Sequence, residues 1–368
     1  MDIEYMKRAL LLAEKGKGYV APNPMVGAVI VNNGKIIGEG YHQRFGEAHA
    51  EVNAIKNATA PVKGATMYVT LEPCSHFGKT PPCSQLIIKH DIARVVIASR
   101  DPNPLVSGCG IQQLKQAGIE VEIGILDKEN KILNKSFFKY MIDRKPHVIL
   151  KTAMTLDGKT ATISNQSKWI SNEFSRAYVH ELRHELQAIM VGINTVNYDD
   201  PMLTTRRLNE HNNHQPIRII VDSQLSINNK SYIVQSAKHI PTIILTTNQA
   251  NKDKIKTLET LGVPILIVGT IDNKVNLLEA MDMLGRRGIS SILLEGGSTL
   301  AFSALKEGIV DEVYSFIAPK IFGGKTAPTA VGGTGVKRVE DAVNLNLKSI
   351  KQFNGDVCLI YDVLKEEQ

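Results

Sequence analysis

A chain of 368 residues, 43% apolar and 22% charged, has the composition of a soluble globular protein and is too long for one ordinary core. Its 43 basic and 37 acidic residues leave a mild formal charge of +6, scattered without long runs, which argues against a nucleic-acid partner. Four cysteines exclude a disulfide scaffold. With no signal-peptide pattern at the N-terminus and no apolar run near the ~18 residues of a membrane span, a cytoplasmic protein with no membrane partner is expected.

In chain order, residues 5–15 read as an amphipathic helix, followed by a loop with Pro22-Asn23-Pro24. The run 26–31 (VGAVIV) turns at Asn33-Gly34 into KIIGEGYH, a hairpin signal. Residues 48–57 read as a helix with His49 and Glu51 at its start, and 65–71 (ATMYVTL) as a buried strand delivering Pro73-Cys74. A helix at 84–90, a strand at 93–99 and a helix at 111–117 follow. This alternation predicts a mainly parallel sheet with helices on both faces. A closing helix, NKSFFKYMIDRK, puts the boundary near Arg144, giving domains 1–144 and 145–368. Beyond it, HVILKTAMT, QAIMVGI, PIRIIVDS, TIILTT, VPILIVG, SILLEGG and EVYSFIAP are strand-length apolar runs, with helices at 173–186 and 275–286. The second domain is again α/β, and exposed sheet edges lead us to expect a homo-oligomer.

The chemistry concentrates in His49-Ala-Glu51, Pro73-Cys74 and Cys83. Zinc deaminases of nucleobases carry H-x-E…P-C-x-x-C; here eight residues rather than two separate the cysteines. His49, Cys74 and Cys83 supply the three ligands of a hydrolytic zinc site, which keeps one position for water. Glu51 is then the proton carrier, because ammonia rather than amide ion must leave. A purely structural zinc would leave Glu51 without a role. The inserted SHFGKTPP adds His76 and Lys79, fitting a substrate with a phosphate or extra polar groups. In the second domain there is no G-x-G-x-x-G; instead Glu295-Gly296-Gly297-Ser298 joins a strand to a helix-like STLAFSAL, a turn through which backbone N–H groups can approach a pyrophosphate.

AHAEVNAI, TLEPCSHFGKTPPC and DPNPLVSGCGI resemble the deaminase half of the bifunctional riboflavin-biosynthesis deaminase–reductases. KTAMTLDGKTA, SKWIS, GINTVNYDDPMLTTR, RIIVDSQLSI, LLEGGSTL and APKIFGG resemble the reductase half, so the likeness spans almost the whole chain. It implies a cytidine-deaminase-like three-layer α/β/α domain followed by a dihydrofolate-reductase-like α/β domain. The implied reactions are deamination of 2,5-diamino-6-ribosylamino-4(3H)-pyrimidinone 5′-phosphate, then NADPH-dependent reduction of the ribosyl group to ribityl. It also implies one zinc ion per chain on His49, Cys74 and Cys83, and deaminase substrate contacts from Asn23, His42, His76 and Lys79, with Asn103 as a further candidate. NADPH would lie against Ala153, Trp169, Thr195, Asp199, Ser223 and Gly297. Lys151, Ser167, Arg183, Leu203, Arg206 and Glu295 would face the sugar phosphate. Arg183 and Arg206 make chemical sense as a phosphate clamp; Lys151 with Asp199 also reads as a plain ion pair, and Trp169 as a core side chain. Two alternatives are a nucleoside or tRNA-base deaminase with an unrelated nucleotide-binding accessory domain, and a zinc-stabilised binding module that senses a nucleotide. The first would need a basic, aromatic-rich stretch beside the site for RNA, and the second has no use for Glu51.

Overall fold

The computed structural model describes residues 1–75, 81–103, 106–207 and 213–365. The chain divides into two compact units, Met1–Arg144 and Lys145–Gln368. In the first, helix α1 (Asp2–Glu14) precedes strands β1 (Gly27–Asn32) and β2 (Lys35–Tyr41), α2 (Ala50–Lys56), β3 (Thr66–Leu71) and α3 (Cys83–Lys89). Then come β4 (Arg94–Ser99), α4 (Cys109–Gln116), β5 (Glu120–Ile123), α5 (Asp127–Leu133) and α6 (Lys135–Asp143). The sheet order is β2-β1-β3-β4-β5.

Period-two patterning builds the three layers. Ala28 and Ile30 of β1, with Met67, Val69, Val95 and Ile97, pack under Ala50, Ala54, Ile87, Ile111 and Leu114 of α2, α3 and α4. The alternate residues Val29, Val31, Tyr68, Val96 and Ala98 pack on Met6, Ala9 and Leu12 of α1. Asn33 and Gly34 both take positive φ (48° and 73°), as the tight hairpin turn demands. The expected mainly parallel sheet needs correction here: β1 is antiparallel to both β2 and β3, and only β3-β4-β5 run parallel. A two-residue hairpin cannot make a parallel pair, so Asn33-Gly34 itself forces the β1–β2 pair to be antiparallel.

The second unit begins with β6 (His147–Thr155), α7 (Glu173–Glu185), β7 (Ala188–Gly192), α8 (Ile193–Asp199) and β8 (Ile217–Val221). It continues through α9 (Tyr232–Gln235), β9 (Thr242–Thr246), α10 (Lys252–Thr260), β10 (Ile265–Ile267) and the ribbon β11 (Thr270–Ile271) and β12 (Lys274–Val275). Last come α11 (Leu277–Arg286), β13 (Ser291–Glu295), α12 (Ser298–Lys306), β14 (Glu312–Ala318), β15 (Leu345–Phe353) and β16 (Asp356–Val363). The nine-stranded sheet has order β10-β9-β8-β7-β13-β6-β14-β16-β15. It is parallel from β10 to β14, while β16 and β15 close it as an antiparallel hairpin. In open parallel sheets ligands bind beyond the carboxyl ends of the strands. In both units the chemistry-bearing residues cluster at such ends: Cys74 just after β3, Ser223 after β8, and Glu295 and Gly297 at the end of β13.

Candidate active sites

His49 is the N-cap of α2 and Cys83 its counterpart at the first position of α3, while Pro73-Cys74 follows β3. Three elements distant in sequence thereby deliver three donors to one point. The ligand atoms of His49, Cys74 and Cys83 all lie within 4.8 Å of one another. The Nδ1 of His49 is 3.6 Å from the Cys74 Sγ and 3.4 Å from the Cys83 Sγ, and the Cys83 backbone N–H donates to the Cys74 Sγ at 3.3 Å. A hydrogen bond from Cys83, with help from His49, holds the Cys74 thiol down to about 4; Cys74 and burial push Cys83 up. His49 is raised to about 9 by its bond to Cys74. Ligation needs thiolates and a neutral imidazole, so an incoming cation displaces the protons that these groups hold. One imidazole and two thiols fit zinc and leave a fourth, open position.

Glu51, two residues on, is buried, and that burial pushes its carboxyl above the usual range, against the pull of His49. His42 is also buried, its ring edge-on to His49 with centroids 5.6 Å apart. Its Nδ1 lies 3.1 Å from the Ala48 carbonyl and its Nε2 3.2 Å from the Asn23 Nδ2. An Nδ1–H donated to the carbonyl leaves Nε2 to accept from the amide, the neutral tautomer, in line with burial lowering its pKa. Asn23 and His42 therefore stand together beside the donor cluster. His76 and Lys79 lie outside the described residues.

Sequence reasoning passed over Asn134. Buried between α5 and α6, it accepts from the Met25 N–H (2.8 Å) and donates to the Met25 carbonyl (2.9 Å), imitating a strand partner for the loop that carries Asn23. Its separation of 109 residues from Met25 puts such a contact beyond any local pattern.

In the second unit the structure brings Lys151, Arg183 and Glu295 together. Lys151 and Glu295 are register partners on β6 and β13, and Arg183 reaches them from α7. The Arg183 fork donates twice to the Glu295 carboxylate, at 2.7 and 2.9 Å, and once to the Thr204 carbonyl at 3.1 Å. Lys151 Nζ stands 3.9 Å from the same carboxylate. Burial opposes ionisation of Glu295, yet Arg183 and Lys151 outweigh it and hold its carboxyl down to about 2. Lys151 is lowered by burial and by Arg183, against the pull of Glu295, since the carboxylate is already engaged by the guanidinium. His180, three residues before Arg183 on the same helix face, is depressed to about 4 by burial and by Arg183 and Arg206. The spacing of His180 and Arg183 could have revealed it in the sequence.

Three sequence expectations change. Lys151 is paired with Glu295, while Asp199 is an exposed residue ending α8. The Arg183 fork is engaged by Glu295, a partner the clamp reading had not given it; Arg206 is exposed, with its backbone N–H on the His180 Nδ1 at 3.2 Å. Trp169 is no core residue: it is 63% exposed, with the Arg176 guanidinium 4.6 Å from its ring centroid. The Leu203 side chain packs in the core with Ile189, Val191 and Val196. Ser167 is half-buried just before Trp169, and Ala153 pairs with Phe316 across β6 and β14.

The Gly-Gly turn is a built cradle. Gly296 and Gly297 both take positive φ (70° and 82°), and Gly297 caps α12. A Cβ on Gly296 would sit 3.1 Å from the Thr195 Oγ1, and one on Gly297 would be 3.9 Å from the Gly192 N–H nitrogen. Neighbouring parallel strands β7 and β13 therefore bring the starts of α8 and α12 to one place. Neither helix has a side-chain cap, so their first N–H groups are free of a capping side chain, as a pyrophosphate site requires. Ser223 closes this edge, its Oγ accepting from the Val275 N–H at 3.2 Å.

The family described as cytidine and deoxycytidylate deaminase zinc-binding region matches residues 1–99, and the RibD C-terminal domain family matches 146–359. The chain is 48% identical to riboflavin biosynthesis protein RibD of Actinobacillus pleuropneumoniae, over 99% of this chain and 96% of that protein. To RibD of Escherichia coli it is 42% identical, over 97% and 98%. This chain belongs to the RibD family. Acinetobacter baumannii RibD superposes with a TM-score of 0.89 at 35% identity, covering 99% of both chains. A diaminohydroxyphosphoribosylaminopyrimidine deaminase/5-amino-6-(5-phosphoribosylamino)uracil reductase from Thermotoga maritima superposes with a TM-score of 0.87 at 36% identity, covering 99% of both chains. As a RibD-family chain it is a two-activity enzyme of riboflavin biosynthesis, a zinc deaminase joined to an NADPH-dependent reductase. Because the likeness covers both halves, neither an unrelated accessory domain nor a bare sensing module is favoured. No helix among the described residues is long and apolar enough to cross a membrane.

Proposed function

We propose that the first unit hydrolytically deaminates 2,5-diamino-6-ribosylamino-4(3H)-pyrimidinone 5′-phosphate and that the second reduces the ribosyl group to give 5-amino-6-ribitylamino-uracil 5′-phosphate. The observation that carries this reading is the convergence of His49, Cys74 and Cys83 on one point with buried Glu51 beside them, on the same chain as an uncapped double helix-start cradle. The solved Thermotoga maritima relative is described as a diaminohydroxyphosphoribosylaminopyrimidine deaminase and 5-amino-6-(5-phosphoribosylamino)uracil reductase.

His49, Cys74 and Cys83 would hold the zinc, which supplies a water acidified to a pKa of about 7. Glu51 accepts one proton of the attacking water and delivers it to the ring nitrogen, then takes the remaining hydroxyl proton and gives it to the departing amino group as the ring carbonyl forms; its raised pKa suits a group that must hold a proton between steps. Asn23 reads the flat ring from beside neutral His42, and His76 and Lys79 take the polar and phosphate groups. In the reductase, NADPH would lie along Ala153, Trp169, Thr195, Asp199, Ser223 and Gly297. Lys151 and Glu295 face the ribosyl group, Arg183 orients Glu295, exposed Arg206 meets the phosphate, and Ser167 with the Leu203 backbone completes the wall.

Incubation with the diamino substrate tests the reading directly. Ammonia release is expected without NADPH, and NADPH oxidation only after deamination; absence of either signal overturns the corresponding half. Two further outcomes follow from the geometry. Zinc affinity, measured by chelator competition, should fall on acidification by roughly tenfold per pH unit for each proton displaced; a flat profile between pH 8 and 6 would contradict thiol ligation. Gly297→Ala forces an L-residue to positive φ at a cost of about 1–2 kcal/mol. NADPH affinity in fluorescence titration should drop about tenfold, with ammonia release untouched.

A further inference from the structure

Glu72, immediately before Pro73-Cys74, is a buried carboxylate with no part in the chemistry above. Four backbone N–H groups converge on it. Its Oε2 accepts from Asp101 (3.2 Å) and Gly108 (3.0 Å), and its Oε1 from Gly110 (3.0 Å) and Ile111 (3.3 Å). Gly110 and Ile111 lie in the first turn of α4, whose N-cap Gly108 offers no side chain, so Glu72 supplies that helix's cap from another strand. The other oxygen ties the two ends of the 101–108 segment to each other. Inside it, the Asp101 Oδ1 accepts from the Asn103 N–H at 2.8 Å, and the Asn103 carbonyl accepts from the N–H groups of Val106 and Ser107.

The clasp also brings the start of α4 against the metal-ligand turn. A Cβ on Gly110 would fall 2.0 Å from the Pro73 carbonyl oxygen, so only glycine permits the approach. Strands β3 and β4 are parallel neighbours, with Leu71 opposite Ser99, so the chain leaves both at the same end of the sheet. The Glu72 N–H donates to the Ser99 carbonyl at 3.0 Å, continuing the ladder one step beyond the sheet.

We propose that Glu72 is a positioning residue of the deaminase: by tying Asp101 to the Gly108–Ile111 start of α4, which packs on the Pro73-Cys74 turn, it fixes the placement of Asn103 for substrate. This inference rests on the deaminase reading above. Glutamine in its place keeps one acceptor oxygen but turns an NH₂ donor toward N–H donors, releasing one side of the clasp.

The test uses the full-length chain, with ammonia release for KM and kcat, the visible spectrum of the cobalt-substituted protein for the ligand set, and NADPH-dependent turnover as a check on the other unit. Glu72→Gln is expected to raise the deaminase KM roughly 10- to 100-fold, with the cobalt spectrum and reductase turnover unchanged. Asn103→Ala should raise KM at an unchanged melting temperature, and the double variant should be no worse than Glu72→Gln alone, because both act through one segment. A wild-type KM in Glu72→Gln with only a lower melting temperature would overturn the proposal, as would multiplied effects in the double variant or a shifted cobalt spectrum. If Glu72→Gln does not fold, Asn103→Ala decides, and an unchanged KM there refutes the assignment. Failure of the deaminase reading itself has a different sign: the wild-type chain would release no ammonia from the diamino substrate.

Discussion

Deaminase turnover in Glu51→Gln is expected to fall by about 10²- to 10⁴-fold, with zinc content and NADPH-dependent reduction unchanged. Glu51 is buried at the second position of α2, two residues from His49, and it interacts with the Cys83 thiol. Glutamine preserves the shape and the ligand geometry but can neither accept nor release the proton that turns an amino group into ammonia. The loss should therefore appear in kcat, because a proton transfer is missing in the transition state rather than in binding. The pair of measurements is decisive: metal analysis separates a broken site from a silent one. Full deamination by a zinc-replete Glu51→Gln protein would remove Glu51 from the mechanism.

Glu295→Gln should have the second large effect, on both reduction and stability. Glu295 is a carboxylate shared by Arg183 and Lys151, whose side chains are 14% and 17% exposed. Removing the anion strands two enclosed cations, a loss of roughly 3–5 kcal/mol when a buried pair is broken. Melting of the C-terminal unit should then drop by roughly 10 °C, and NADPH oxidation with deaminated substrate should collapse while ammonia release persists. The pH dependence follows from the folded pKa of about 2 against an unfolded value of about 4.3. Since the folded value is depressed, the stabilisation is fully present above pH ~4.3 and disappears as pH falls through 2. The gap in melting temperature between wild type and Glu295→Gln should accordingly be widest near neutrality and close at acid pH. Equal melting temperatures at pH 7 would show that the pair contributes nothing.

Much of this architecture is local and could be read from the chain. The alternation of Ala28, Ile30 with Val29, Val31 needs only the two-residue period of a strand to predict layers on both faces. Asn33-Gly34 announces its turn by composition. The C-terminal hairpin of β15 and β16 carries the same signal in Asn354-Gly355, with Phe353 opposite Asp356, but β15 is mostly exposed and lacks the apolar run that marks a strand. Among the site residues, His49, Glu51, Cys74 and Cys83 were legible because metal ligation restricts residue type so narrowly.

What the sequence by itself determined is the chemistry on offer: a His-x-Glu and two cysteines for a metal, a Gly-Gly turn for a dinucleotide, and a set of basic and acidic residues for a phosphorylated sugar. Only the tertiary structure decided the partners. It gave Lys151 to Glu295 rather than Asp199, committed the Arg183 fork to that carboxylate, set Trp169 at the surface, put Asn134 behind Met25 and tied Glu72 to Asp101 and the start of α4. Residue types and short spacings are written in one dimension. Pairing between groups dozens to more than a hundred residues apart depends on strand order and register, and these are set by how whole layers pack.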